Sequence, residues 1–212
     1  MRYQAVIFDL DGVLVFTDAY HYLAWKTIAD KLQIAFDENI NHRLRGVSRM
    51  ESLEIILSYS DKVLSAHDKR MLAAEKNTHY QHLLEKLSPE AVSQETRNML
   101  DALREKGIRL AIGSSSKNAS FILEKTDMAS YFEVVVSGMD ITHSKPDPEV
   151  FLVAAQQLGL SPSACLVIED AHAGVQAAVD GHFDCAGIGD AASSELVTYR
   201  MEHLLELTAL VF

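Results

Sequence analysis

Four stretches of the chain carry residues able to do chemistry: Asp9-Leu10-Asp11-Gly12, Ser114-Ser115-Ser116-Lys117-Asn118, Lys145, and Glu169-Asp170. Asp9 and Asp11 stand two apart where the apolar run Val6-Ile7-Phe8 ends, so on an extended chain both side chains leave by the same side. Two carboxylates held that close repel; one keeps a proton or both share a cation, and either state suits acid–base or metal chemistry. Gly12 permits a tight turn beyond them. The acids offer hard oxygen ligands of the kind magnesium takes. Ser114 adds a hydroxyl, Lys145 a point charge, and backbone N–H groups at a helix start can wrap an anion. Phosphoryl transfer suits this set better than peptide or glycoside hydrolysis, because it chiefly requires phosphate oxygens to be positioned and neutralised.

Each stretch also has a plainer explanation. Asp-Leu-Asp-Gly is ordinary turn composition. A run of serines before Asn118 can simply cap a helix, a lysine before Pro146 is commonly solvated, and Glu169-Asp170 suits a helical first turn. The functional explanation gains only if all four stretches meet in space.

The elements that would make them meet are legible as alternating patterns. Apolar runs at 6–8, 108–112, 134–136 and 165–168 read as buried strands, with a weaker one at 185–188, and helical periodicity follows each of the first four. Such alternation implies crossover units and a parallel sheet, whose ligands bind beyond the carboxyl ends of the strands, where all four stretches lie. Between the first and second strands the chain reads as helix only. One helix runs over 18–32 with Thr17 or Asp18 as N-cap, and a short one through Ile40 and Leu44 ends at Gly46. Another starts at the capping box Ser48-Arg49-Met50-Glu51, and a long polar helix runs from Ser65 through Lys86. Ser88-Pro89 marks a boundary. The expected architecture is a doubly wound α/β core of residues 1–16 and 88–212 with a helical cap, residues 17–87, inserted into it. The tail, 202–212, reads as a helix covering a sheet edge.

Composition narrows the function classes. With 19 basic against 30 acidic residues the net charge is −11, which argues against nucleic acid or an anionic membrane surface as partner but leaves room for a small anion held by local cations. Hydrophobic residues make up 48% of the chain, so disorder is not expected. No apolar stretch reaches membrane-spanning length, and the N-terminus lacks a basic segment followed by a long apolar run. Cys165 and Cys185, in apolar segments with no metal-type spacing, read as reduced core residues. A cytoplasmic monomer is expected.

In order, Asp9-Leu10-Asp11-Gly12-Val13, Ser114, Ser144-Lys145-Pro146-Asp147-Pro148 and Glu169-Asp170 resemble the four motifs of the haloacid dehalogenase superfamily. The insertion after the first motif stands where that superfamily places one type of helical cap. Tyr20-His21-Tyr22-Leu23-Ala24-Trp25-Lys26, Leu44-Arg45-Gly46-Val47-Ser48-Arg49-Met50-Glu51-Ser52-Leu53 and the 114–118 loop further resemble the β-phosphoglucomutase family, over essentially the whole chain. The resemblance implies an Mg2+-dependent enzyme that interconverts β-glucose 1-phosphate and glucose 6-phosphate through an aspartyl phosphate and glucose 1,6-bisphosphate. It implies Asp9 as nucleophile, Asp11 as general acid and base, and Ser114 and Lys145 as the grip on the transferring phosphoryl group. Mg2+ would be held by Asp9, the backbone carbonyl of Asp11, Glu169 and Asp170. Arg49 would take the second phosphate with Ser116, Lys117 and Asn118, and Ser115 would also bind substrate. Gly46 and Val47 would contact the sugar, with His21, Trp25, Ser52 and Lys76 nearby.

Some of these residues have plainer roles too. Trp25 lies on an apolar helical stripe and reads equally as core or ligand wall, His21 as a companion of the hinge, Lys76 as a solvent-facing lysine, and Arg49 as an exposed first-turn residue. Three departures from the family pattern bear on the cap: Phe16 replaces a usual acid, Arg45 a usual lysine, and a Pro-Gly pair is missing after Ser88-Pro89. Two other functions compete with the mutase. One is a sugar-phosphate phosphatase of the same superfamily, in which water attacks the aspartyl phosphate; the other is a catalytically idle binding protein on the same fold.

Overall fold

The apolar runs form the strands that their composition predicts. In the computed structural model, which describes residues 2–211, β1 (Ala5–Phe8), β2 (Arg109–Gly113), β3 (Val134–Val136), β4 (Cys165–Glu169), β5 (Asp184–Gly187) and β6 (Tyr199–Arg200) make one parallel sheet in the order β3-β2-β1-β4-β5-β6. Both faces are covered, which is why the runs are continuously apolar rather than alternating. One face packs Val6, Phe8, Leu110, Ile112, Leu166 and Ile168 against α5 (Gln94–Glu105) and α6 (Ala119–Lys125). The other packs Ala5, Ile7, Ala111, Cys165, Val167 and Cys185 against α7 (Glu149–Leu158) and α8 (His172–Asp180). Both cysteines are free and buried.

The chain steps outward from β1 to β2 and β3, then returns to place β4 on the other side of β1. The order therefore reverses between β1 and β4, where parallel sheets open a crevice at their carboxyl ends. Phe8 pairs in register with Ile168, so Asp9 and Glu169 leave neighbouring strands at the same level.

Between β1 and β2 lie α1 (Asp18–Lys31), α2 (Glu38–His42), α3 (Arg49–Leu57) and α4 (Ala66–Leu84), which share a core built on Trp25, Ile28, Leu53, Ile56 and Leu72. The Ser48 and Ser65 hydroxyls cap α3 and α4, accepting from the backbone N–H groups of Glu51 and Asp68. Ala24, Tyr80 and Leu84 instead join the core on the first face of the sheet, so the feet of α1 and α4 are rooted in the α/β layer.

The structure corrects the sequence in five places. Thr17 precedes α1 but its hydroxyl makes no capping bond; it donates to the Asp11 carboxylate. The second helix stops at His42, because Arg43 and Leu44 turn to bond Ile40 and Asn41 three residues back, and the chain reaches Gly46 as a turn. The long helix ends at Leu84 by the same tightening, Lys86 donating to Leu83. The short edge strand β6 was not legible. The tail forms a single turn at Leu204–Glu206 and α9 (Leu207–Val211). Leu204, Leu207 and Val211 lie against Met99, Leu100 and Leu103 of α5, so the tail covers a face and not an edge. Phe212, at the end of that expected helix, lies outside the described residues. Among the described residues no helix is long and apolar enough to cross a membrane.

Candidate active site

The four chemistry-bearing stretches converge where the strands run out. Of the residues singled out in the sequence, all but Lys145 line one cavity of about 710 Å³ between the sheet and the inserted helices. Lys145 lies beneath its floor, with no exposed surface. Its Nζ donates to Asp9 Oδ1 at 2.5 Å and also to Glu169 Oε1, so one ammonium joins the ends of β1 and β4. Burial opposes its charge, yet the two carboxylates hold its pKa above the usual lysine value.

Asp9, Glu169 and Asp170 bring carboxylate oxygens within 4.8 Å of one another. Two glycines make this crowding possible. A Cβ on Gly12, whose φ is +90°, would stand 2.1 Å from Asp170 Oδ2, and one on Gly174 would stand 2.0 Å from Glu169 Oε1. Without a cation the cluster carries unbalanced charge. Burial, together with the Glu169 and Asp9 charges, pushes Asp170 up to about 8. Burial and the Asp9 charge, opposed by Lys145, leave Glu169 at about 7, and burial raises Asp9. Three carboxylates against one ammonium, all hard oxygen donors with no nitrogen or sulfur among them, fit a divalent ion such as magnesium.

Asp11 does not belong to this cluster by its side chain. The two-residue spacing leaves open a cation shared by Asp9 and Asp11, but the Asp11 carboxylate turns toward the inserted helices. There its Oδ1 accepts from the Thr17 hydroxyl and, at 3.4 Å, from the Tyr80 hydroxyl. Burial first, then the Asp9 charge, pushes its pKa up to about 6, a value that lets it both take and return a proton near neutrality. Ser114, buried at the end of β2, accepts from the Ser116 N–H at 3.1 Å, and the Ser116 hydroxyl accepts from the Asn118 N–H at 3.2 Å. The 114–118 loop is thus folded on itself at the start of α6, with Lys117 exposed and Ser115 half-buried. The Ser115 hydroxyl accepts from the Lys145 N–H at 3.4 Å.

On the opposite side, the inserted helices contribute cations. Arg49 is half-buried at the start of α3, and burial lowers its pKa. It makes no ion pair among the described residues, and one guanidinium N–H donates to Asn77 Oδ1 at 2.6 Å. Lys76 is 3% exposed rather than solvent-facing, because α4 turns the stripe Ala73, Lys76, Tyr80 and Leu84 inward. Its Nζ lies 2.9 Å from His21 Nδ1, 5.0 Å from the centre of the Trp25 ring and 4.4 Å from that of Tyr80. Burial and the Arg49 charge push Lys76 well below the ordinary lysine value, and burial, Lys76 and Arg49 likewise keep His21 neutral. Trp25 serves both of its possible roles, as core of the insertion and as cavity wall. Ser52 is buried and donates to the Ser48 carbonyl at 3.0 Å. Gly46, at φ +77°, lets the Gly46-Val47 turn approach α8, with Ala173 Cβ 3.3 Å from where a Cβ would be. Arg45 closes the same seam, bonding Asp190 Oδ2 at 2.8 Å on the sheet side and Asp18 Oδ2 at 3.2 Å.

Sequence reasoning missed Thr17, Asn77, Tyr80, Gln81 and Asp190 as contributors to this region. For α4 a signal existed: a lysine three residues after Ala73 and four before Tyr80 sits on the apolar stripe, which a solvated lysine avoids.

Comparisons with known proteins agree with this geometry. A family model described as haloacid dehalogenase-like hydrolase matches residues 3–182. Over 188 residues the chain is 41% identical to a β-phosphoglucomutase of Bacillus subtilis (strain 168), covering 88% of the chain and 83% of that protein. Over 178 residues it is 30% identical to a phosphorylated carbohydrates phosphatase of Thermotoga maritima, covering 82% and 80%. A crystal structure of β-phosphoglucomutase from Clostridium difficile superposes with a TM-score of 0.91 at 32% identity, covering 97% of this chain and 93% of that one.

Proposed function

The chain belongs to the haloacid dehalogenase-like hydrolase family, and from that premise we propose that it is a β-phosphoglucomutase, interconverting β-glucose 1-phosphate and glucose 6-phosphate through glucose 1,6-bisphosphate. The observation that carries this reading is the second cationic place in the cavity. Arg49 is a partly buried guanidinium with no carboxylate partner among the described residues, sharing the Asn77 oxygen with Asn118 and lining the same cavity as Asp9. A partly buried arginine without an acid is matched to an anion, and its planar fork suits a phosphate. An enzyme acting on one phosphate needs one such place; a bisphosphate needs two.

The residues divide the work accordingly. Asp9 attacks phosphorus and becomes the aspartyl phosphate, while Lys145 and Ser114 steady the transferring group. Asp9, Glu169, Asp170 and the backbone carbonyl of Asp11 would hold Mg2+, which when bound supplies charge neutralisation at the phosphate oxygens. Asp11, which lines the cavity while Thr17 and Tyr80 hold its Oδ1, takes the proton of the attacking sugar hydroxyl and returns it to the leaving oxygen in the reverse step. Residues 17–87 act as a cap over the core of residues 1–16 and 88–212. Closure keeps water from the phosphoenzyme while the bisphosphate turns end for end.

The test offers β-glucose 1-phosphate with magnesium and a trace of glucose 1,6-bisphosphate and follows glucose 6-phosphate and free phosphate together. Glucose 6-phosphate in large excess is expected. Free phosphate without isomerisation identifies the phosphatase instead, and full turnover in Asp9→Asn would remove Asp9 as nucleophile.

A further inference from the structure

A chain of side-chain amides joins cap to core beside the cavity, at the second cationic place. Arg49 donates to Asn77 Oδ1 at 2.6 Å, Asn118 Nδ2 donates to the same oxygen at 3.0 Å, and Gln81 Nε2 donates to Asn118 Oδ1 at 3.1 Å. Arg49 comes from α3, Asn77 and Gln81 from α4, and Asn118 from the buried end of the 114–118 loop. The direction of this relay is fixed chemically. A guanidinium can only donate, so Asn77 must turn its oxygen to Arg49. Asn118 reaches that same oxygen and must present its NH2 there, which leaves its own oxygen for Gln81. Each amide has one orientation compatible with the others.

We infer that Asn77, backed by Gln81, is a positioning residue that sets Arg49 of the cap and Asn118 of the core in register for the second phosphate of a hexose bisphosphate. The inference rests on the proposed mutase reading and extends it to two residues that would touch phosphate only through their neighbours. Arg49 keeps its remaining N–H groups for an anion, and Asn118 is only 6% exposed, so neither can reorient freely once the relay is made. Asn77 and Gln81 stand one helical turn apart on the cap helix, so closing the cap aligns both contacts at once.

The experiment measures binding of glucose 1,6-bisphosphate to the magnesium-loaded Asp9→Asn protein, which cannot accept the phosphoryl group, with Asn77→Ala, Gln81→Glu or Gln81→Met added. Asp9 phosphorylation by acetyl phosphate, which has no second phosphate, is measured in the otherwise native chain with the same substitutions. Asn77→Ala should weaken bisphosphate binding by about tenfold to a hundredfold, the range of one hydrogen bond to a charged group. Gln81→Glu keeps the shape of the side chain but sets a carboxylate against the Asn118 oxygen; Gln81→Met merely removes the donor. Gln81→Glu should therefore bind the bisphosphate several-fold more weakly than Gln81→Met, while acetyl phosphate still phosphorylates Asp9 at close to the native rate in all three. A purely structural role predicts the reverse order, since the isosteric change disturbs packing less; thermal unfolding midpoints check that every variant is folded. If the bisphosphate binds Asp9→Asn but Asn77→Ala leaves its affinity unchanged, or Gln81→Glu binds as well as Gln81→Met, the relay has no positioning role. If Asp9→Asn alone fails to bind the bisphosphate, the mutase reading falls and the relay with it.

Discussion

At the strand ends three carboxylates, Asp9, Glu169 and Asp170, crowd together with the single ammonium of Lys145. On the inserted helices, Arg49 and Lys76 face the same cavity with no carboxylate in ion-pair contact among the described residues. One wall is short of positive charge and the other of negative charge. The acidic wall suits a metal ion and a phosphoryl group brought in with it; the cationic wall suits an anion that does not react. On the proposed function the difference separates two decisions: the strand ends choose the reaction, and the inserted helices choose what the phosphoenzyme reacts with.

The most damaging way to test the acidic wall is to remove its cation. Lys145→Ala leaves Asp9 and Glu169 buried without their partner, so phosphoryl transfer should fall by about 10³-fold. Breaking a buried pair in this way costs about 3 kcal/mol or more in stability. Steady-state kinetics and urea unfolding measure the two; a fully active, equally stable variant would mean that the wall does not depend on its ammonium.

A smaller effect is expected at the seam between the walls. Asp190 is half-exposed and meets Arg45 at 2.8 Å, so Asp190→Ala should change stability by under about 1 kcal/mol. If the contact helps hold the cap shut, free phosphate should nevertheless rise a few-fold relative to glucose 6-phosphate. An unchanged product ratio would show that closure does not depend on the Arg45 bridge.

The crowded acids also set the pH dependence of the metal-free protein. Asp11, Glu169 and Asp170 sit at about 6, 7 and 8 when folded, against ordinary values of 3.8, 4.5 and 3.8. Between about pH 4 and 8 the folded chain therefore holds more protons at these sites than the unfolded chain, and its stability falls as pH rises. The urea midpoint in chelator should decline across that window, and magnesium should remove the decline by favouring the ionised forms. A midpoint that climbs with pH in chelator would contradict the crowding of acids at the strand ends.

The two walls also differed in how far they could be read from sequence. The acidic wall was legible because a parallel strand buried on both faces is a continuous apolar run, and Asp9, Ser114 and Glu169-Asp170 stand where such runs stop. Once the strands are known, the fold brings those ends together. The cationic wall depends on which side of a helix faces inward, and α4 is too polar for its stripe to stand out. Lys76 consequently looked solvated, and Asn77 and Gln81 went unnoticed, since amides carry no charge or periodicity signal. Thr17 reads as a helix end by its type, whereas its hydroxyl is taken by Asp11, a contact that depends on how the turn after Gly12 folds back. The edge strand β6 has two residues, one half-buried and one exposed, too short for any pattern.

The division between reaction and acceptor is tested most directly by Arg49→Ala, with the ratio of glucose 6-phosphate to free phosphate measured from β-glucose 1-phosphate beside the rate of Asp9 phosphorylation by acetyl phosphate. The ratio should fall by about tenfold or more, the scale of one lost charge-assisted contact, while Asp9 is phosphorylated at close to the native rate. An equal loss in both measurements, or a ratio that does not move, would contradict that division.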